Sequence, residues 1–330
     1  MHYPSKINLN GALDIVANVS AFKTHRSGWL FALNSLKKLH TDKGIILDGT
    51  IENTFSWNQL RNDDTKIMNG YNQSWVGFVH YPPSFPEWCN PKETLPYVLK
   101  TDMWKKSMNY CKGLFSLSNY SKEWLEEYVD VPIVSLFHPT ETPAVNFSMK
   151  SFLSNQDKSI VVVGNLLRKL YSIYQLRVTK LRKVLLTTNA KYVYLRLARE
   201  LQYYKLIIDY KTVEMKSYLA NSEYDEYLSK NIVFLDLYDS SANNTIIECI
   251  VRNTPLLINS LPAVREYLGK DYPFYFKSLD EAAEKAENFD LIQDTHNYLM
   301  SHPIKKKLTA DYFLESFAES TIYRKLPSII

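Results

Sequence analysis

The stretch DSSANNTIIECIVRNTPLLINSLP, residues 239–262, sets three hydroxyls, two amides and the carboxylate of Glu248 in front of an apolar run. Hydroxyl and amide groups donate to phosphate and sugar oxygens, and a carboxylate accepts from hydroxyls. Ser240, Ser241, Asn243, Asn244 and Thr245 are therefore candidate ligand donors. Glu248 is a candidate acceptor for both hydroxyls of a ribose. Ser, Asn and Thr are also ordinary helix N-caps. A pair of caps explains two of these positions; a run of five small polar donors exceeds what capping needs. Glu248 stands among Ile246, Ile247, Cys249, Ile250 and Val251, so it either points to water or meets a partner.

Other residues with chemistry to offer lie earlier. WVGFVHYPP places His80 at the end of an apolar run, where it can act as a general base, donate to a sugar hydroxyl, or cap a turn. Asp48 ends GIILDGT and is an alternative base. In THRSG, Gly28 permits close approach of the backbone, and His25 and Arg26 are candidate acceptor contacts. Ser118 and Ser121 read first as caps. His138, before Pro139, marks a hinge.

Short apolar runs alternating with helical spacing must position these groups. Strands are expected at 14–20, 44–50, 75–81, 113–118 and 131–139, with helices over WLFALNSLKKL, 95–111 and 119–129. Residues 140–157 lose periodicity and read as a linker. The rhythm restarts with a strand at 159–165 followed by a basic helix, and strands at 231–238, 254–260 and 272–276. YVYLRLARE and KLIIDY are ambiguous between helix and strand, LDEAAEKAENF is helical, and a long helical segment runs from 290 onward. Such alternation predicts parallel sheets with crossover helices. The expected fold class is α/β, with two Rossmann-like β/α/β domains facing across a cleft. The expected bounds are 1–140 for the first domain, 141–157 for the linker and 158–308 for the second. A helical tail at 309–330 is expected to pack back on the first domain. DSSANN then falls at the carboxyl end of a strand and the start of a helix, where open α/β sheets bind ligands and where helix dipoles favour phosphate.

With 330 residues, two domains are the prior. The composition, 45% hydrophobic and 22% charged with 24 Tyr, is that of a folded protein and argues against long disorder. Cys89, Cys111 and Cys249 are far apart, so neither a zinc site nor a disulfide framework is expected, and a reducing compartment is the simple reading. The first residues lack the pattern of a signal peptide, and no apolar run reaches spanning length. A cytoplasmic location is expected. The net charge of +4 is unevenly spread: residues 168–205 alone carry +9, which leaves −5 for the rest. Such a field attracts phosphate, anionic lipid or nucleic acid, although a solvated helix face is the commoner meaning of a basic run.

ECIVRNTPLLINSLPAVREYLG resembles the donor-site signature of nucleotide-sugar glycosyltransferases with the GT-B fold. The likeness covers most of the chain in element order and is specific over about residues 236–269. It implies that Glu248 holds the nucleotide ribose and that Arg168 and Lys169 grip the diphosphate, neutralising the leaving group as the glycosidic bond breaks. It implies a nucleotide diphosphate sugar as co-substrate, no other cofactor and no metal. The pattern departs at two points. Ser240 stands where retaining members carry a second acid, with Asp239 one residue out of register. Asn253-Thr254 stands where a glycine is usual. Neither Asp236-Leu-Tyr-Asp239 nor Asp63-Asp64 has the spacing of a DxD metal site, and GxGxxG and P-loop patterns are absent.

The expected activity is transfer of a sugar to an acceptor hydroxyl in glycan or glycolipid synthesis. The cationic stretch allows a glycan or lipid-linked acceptor at an anionic membrane, with peripheral contact there; nucleic acid is the less favoured partner. Other readings are a catalytically silent GT-B scaffold, a nucleotide-sugar isomerase, and a sugar transferase acting on nucleic acid.

Overall fold

The computed structural model describes residues 13–16, 28–41, 44–57, 70–217 and 219–326. They fall into two compact units, one within Met1–Glu141 and Lys306–Ile330, the other within Thr142–Lys305.

The first unit is built on five parallel strands in sequential order: β1 (Leu13–Val16), β2 (Ile45–Asp48), β3 (Trp75–Val79), β4 (Cys111–Ser116) and β5 (Ile133–Ser135). Strands β2 and β3 are buried along their whole length, as expected for a parallel sheet covered on both faces. Helix α1 (Trp29–Ser35) follows the first loop. The expected helix over 95–111 is two shorter ones, α2 (Leu95–Val98) and α3 (Asp102–Met108). Thr101 separates them because its side chain caps the second by accepting from Trp104 N. Helix α4 (Asn119–Glu126) is capped by Ser118, whose hydroxyl accepts from Ser121 N, as the sequence predicts. Aromatic rings fill this core: Phe78 stacks on Phe115 at 5.0 Å, and Phe115 on Phe317 at 4.5 Å. That last contact shows why a segment near the end of the chain belongs with the first sheet.

The second unit holds six parallel strands: β6 (Ser159–Val163), β7 (Arg182–Leu186), β8 (Glu214–Lys216), β9 (Ile232–Leu235), β10 (Leu256–Asn259) and β11 (Tyr275–Phe276). Their order across the sheet is β11-β10-β9-β6-β7-β8. Counted from the first strand of this unit, that is the 3-2-1-4-5-6 winding of dinucleotide-binding folds. The direction of winding reverses between β6 and β9, which pair with Ile160 opposite Ile232 and Val161 opposite Val233. Residues 140–157 do not lack structure throughout. They contain helix α5 (Met149–Ser154), and Phe147 N donates to Arg252 O.

The basic helix expected directly after β6 is not there. Gly164 and Leu167 take left-handed backbone angles, and Arg168 forms an isolated antiparallel bridge to Leu237. Only a five-residue helix follows, α6 (Tyr171–Gln175). The ambiguous YVYLRLARE lies in helix α7 (Ala190–Tyr204), whereas KLIIDY is largely irregular. Helices α8 (Asn221–Ser229) and α9 (Asn244–Arg252) flank β9 in sequence, and α10 (Pro262–Leu268) follows β10. LDEAAEKAENF contains helix α11 (Leu279–Ala286), as expected, and the long helical segment expected from 290 onward is broken into α12 (Phe289–Met300) and α13 (Ala310–Glu319). No described helix is long and apolar enough to cross a membrane.

Candidate functional site

In the second unit the two loops at the winding reversal meet through Arg168. Its guanidinium NH2 donates to Asn243 Oδ1 and to Thr245 Oγ1, each at 3.2 Å. Its Nε donates to Val163 O at 3.1 Å and NH1 to Leu166 O at 2.6 Å. Burial draws the Arg168 guanidinium down to about 10, partly opposed by Tyr224 and Glu248, so it stays cationic at neutral pH. Asn243 is the N-cap of α9 and also accepts from Thr245 N at 3.0 Å. One amide oxygen thus serves the helix start and the arginine together.

Glu248 is buried one turn along α9. Its Oε2 accepts from the Tyr224 hydroxyl of α8 at 2.5 Å. Burial and the neighbouring carboxylate push the Tyr224 phenol well above its usual range, which keeps it a donor. Behind them Arg252 forms a fully buried ion pair with Asp225 at 2.7 Å, fixing α8 against α9. Of the alternatives open to Glu248, it meets a partner.

Lys169 pairs with Asp236 at 2.8 Å and lies over the Tyr238 ring. The other oxygen of Asp236 accepts from the Ser172 hydroxyl at 2.8 Å. Asn259, at the end of β10, donates to Leu237 O and accepts from Leu237 N, so one amide clamps the backbone after β9 on both sides. Ser240 and Ser241 are buried within the loop; Ser240 N donates to Asp239 Oδ1 and its hydroxyl to Ser241 O at 3.4 Å. Asn244 is half-buried in the first turn of α9. The five small polar residues therefore divide. Asn243 and Thr245 converge on Arg168, and the two serines serve the turn.

In the first unit His80 follows β3. Its Nε2 lies 3.0 Å from Gly49 O, and the ring meets Trp29 edge-on at 4.3 Å. A carbonyl only accepts, so Nε2 carries the proton and Nδ1 is the lone-pair nitrogen. Burial lowers His80 to about 3, so the ring is neutral at neutral pH. The backbone N–H groups of His80 and Tyr81 both donate to Glu52 Oε1 at 2.7 Å. Asp48 accepts from Thr50 N and from the Tyr71 hydroxyl, each at 2.9 Å, and burial raises its carboxyl. Gly28 is the N-cap of α1. His25, Arg26 and Asp63-Asp64 lie outside the described residues. His138 is buried, with Nδ1 2.7 Å from Pro139 O. Among the described residues no three His, Cys, Asp or Glu side chains are grouped to hold a metal.

No family model matches the sequence, and no curated protein matches it. Solved structures do. A variant of S. aureus TarM, solved with fondaparinux, α-GlcNAc-glycerol and UDP, superposes with a TM-score of 0.58 at 13% identity over 88% of this chain. The sucrose-phosphate synthase of Thermosynechococcus elongatus gives 0.60 at 11% identity, covering 86% of this chain and 73% of its own. The pneumococcal O-GlcNAc transferase GtfA, solved with UDP and GlcNAc, gives 0.53 at 10% identity over 89% of this chain. The chain has the GT-B fold. It spans 59% of the length of the TarM and GtfA chains.

Within this GT-B chain, the winding reversal of the second sheet carries a fixed cation, a capped helix start and a buried carboxylate on that same helix. Such a set can hold an anion beside a diol. Sequence reasoning singled out Arg168, Asn243, Thr245 and Glu248 but missed Tyr224, Asn259 and Glu52. A signal existed for Asn259, a polar residue closing an otherwise apolar strand. Tyr224 is one of many tyrosines on a mixed helix, and Glu52 one of 35 acids. Nothing in their sequence surroundings sets either apart.

Proposed function

We propose that the protein transfers a sugar from a nucleotide diphosphate sugar to an acceptor hydroxyl, the acceptor being a glycan or lipid-linked precursor at an anionic membrane surface. The observation that carries this reading is the junction of Arg168 with Asn243 and Thr245, on the helix that bears Glu248. In this reading Arg168 and the first turn of α9 face the diphosphate, while Lys169 is neutralised by Asp236 and holds the loop beside it. Negative charge that builds on the leaving diphosphate is met by a cation already fixed in place. Glu248, steadied by Tyr224, accepts the ribose hydroxyls. In the first unit His80 is better suited to accept a sugar hydroxyl through Nδ1 than to abstract its proton, because a ring held near 3 is a weak base. Asp48, with both oxygens bonded, serves to hold the end of β2.

Thermal-shift measurements against uridine, guanosine, thymidine and adenosine diphosphates and their sugar conjugates test this. Saturating ligand raises stability by about 2.7 kcal/mol at a hundredfold excess over Kd. The shift is expected with one base series and is expected to vanish in Glu248→Ala and Arg168→Ala. No shift with any compound overturns the reading. A silent GT-B scaffold is the second reading, favoured by Ser240 at the position of the second acid and by its burial in the turn. A scaffold binds nucleotide or nothing and releases no nucleoside diphosphate.

A further inference from the structure

We propose that the outer face of α7 and the segment that follows it, residues 191–211, is a docking surface for an anionic lipid bilayer. Helix α7 buries Val193, Arg196, Leu197 and Glu200 against its own unit. Its outward side leaves Tyr194 and Leu195 about half exposed, with Lys191 and Arg199 on the same side of the helix, and beyond the helix Ile207 is 96% exposed. Tyr210 belongs to the same surface, since its ring lies 6.2 Å from that of Tyr194. Isolated apolar side chains on a surface need no explanation, but Tyr194, Leu195, Tyr210 and Ile207 exposed within one short segment do.

The charge on this face is one-sided. Lys191, Arg199, Lys205 and Lys211 are exposed, and among the described residues none of them has an ion-pair partner. Within residues 191–211 the one exposed acid, Asp209, spends an oxygen on Lys211 N; Asp280 lies across the cavity that Ile207 and Asp209 line. Cations interleaved with tyrosines and aliphatic tips match the boundary of an anionic bilayer, where headgroups attract the cations, tyrosine sits at the interface and aliphatic groups enter the acyl edge. Nucleic acid matches the cations and rings but leaves Leu195 and Ile207 without a partner, so lipid is the better fit.

The surface also runs toward the candidate nucleotide site. Tyr204, at the end of α7, stacks parallel to Tyr238 at 6.4 Å, and Glu200 accepts from the Tyr238 hydroxyl at 2.6 Å. Tyr238 is the ring over which Lys169 lies. A membrane held at α7 therefore sits beside the loop read as gripping the diphosphate. This gives the proposed lipid-linked acceptor its point of supply and in that respect rests on the functional reading above; the binding itself does not depend on that reading.

The test is flotation of the full chain with vesicles of phosphatidylcholine alone and of phosphatidylcholine mixed with phosphatidylglycerol. Binding is expected only to the anionic vesicles and is expected to weaken with salt. The double variant Arg199→Glu/Lys205→Glu is expected to lose about tenfold or more in binding. Ile207→Ser is expected to weaken binding without changing its salt dependence, and a single-stranded oligonucleotide is expected not to compete. All substitutions are on the surface, so unchanged melting temperatures confirm folding. Absence of binding to anionic vesicles, equal binding by wild type and variants, or displacement by the oligonucleotide overturns the proposal. The nucleotide thermal shift on the same preparations keeps the two readings apart: a retained shift with lost flotation condemns only the surface, and the converse condemns only the donor site.

Discussion

At the scale of single residues, the candidate site is assembled before any ligand arrives. Arg168 is held by two carbonyls and two side-chain oxygens, and Glu248 by a tyrosine hydroxyl. Preformed donors and acceptors lose little freedom on binding, so affinity depends on keeping them aimed. Tyr224 is the sharpest probe of this, because it contributes one hydroxyl to one carboxylate oxygen. Tyr224→Phe keeps the ring and removes the hydrogen bond, which for a charged acceptor is worth about 1.5–3 kcal/mol. The expected outcome is a nucleotide affinity about tenfold weaker by calorimetry, with a melting temperature lowered by a few degrees. An affinity equal to wild type would show that Glu248 does not meet the nucleotide. Glu248 stood out as a candidate from its place on an apolar helix after a strand end. Tyr224 did not, since only tertiary packing of α8 brings its hydroxyl to Glu248.

At the scale of elements, strand and helix alternation was legible because buried parallel strands read as short apolar runs: IVFL in β9 and SIVVV in β6 stand out from their neighbours. The turn after β6 was not legible. A basic run of helical spacing predicts a helix, yet the chain bends at Gly164 and Leu167 and pairs Arg168 with Leu237. Tertiary bonding to the β9 loop overrides local propensity there, as Lys169 N donating to Asp236 O at 2.7 Å shows. Gly164 makes the bend possible, with φ at +75°, and an added Cβ would stand 3.4 Å from the Arg168 guanidinium. Gly164→Ala is therefore expected to destabilise the second unit by ~1–2 kcal/mol and to disturb Arg168 at the same time. Its nucleotide-induced thermal shift should fall well below that of wild type. A lowered melting point with an undiminished shift would mean that the bend serves folding alone.

At the scale of the whole molecule, four titratable groups shifted by burial pull stability in opposite directions with pH. Burial lowers His80 to about 3 and His138 to about 4. The unfolded chain therefore takes up protons below pH ~6.5 that the folded chain refuses, and both histidines cost stability as the solution is acidified. Burial acts the other way on carboxyls: Glu52 in the first unit and Glu200 in the second are each raised to about 7. Between about 4.5 and 7 the unfolded chain gives up those protons while the folded chain keeps them, so their contribution is lost as pH rises through that window. Glu52 is fully buried, and its Oε2 has no partner among the described residues, so its ionised form gains little in return for losing water. Glu52→Gln keeps an oxygen for the His80 and Tyr81 amides and removes the titration. The variant is expected to match wild type at pH 5 and to exceed it by ~1–3 kcal/mol at pH 8. Thermal melts across that range decide it. A difference between the two proteins that stays constant with pH would mean that Glu52 is already ionised in the fold at pH 5, and that its two backbone bonds hold the charge.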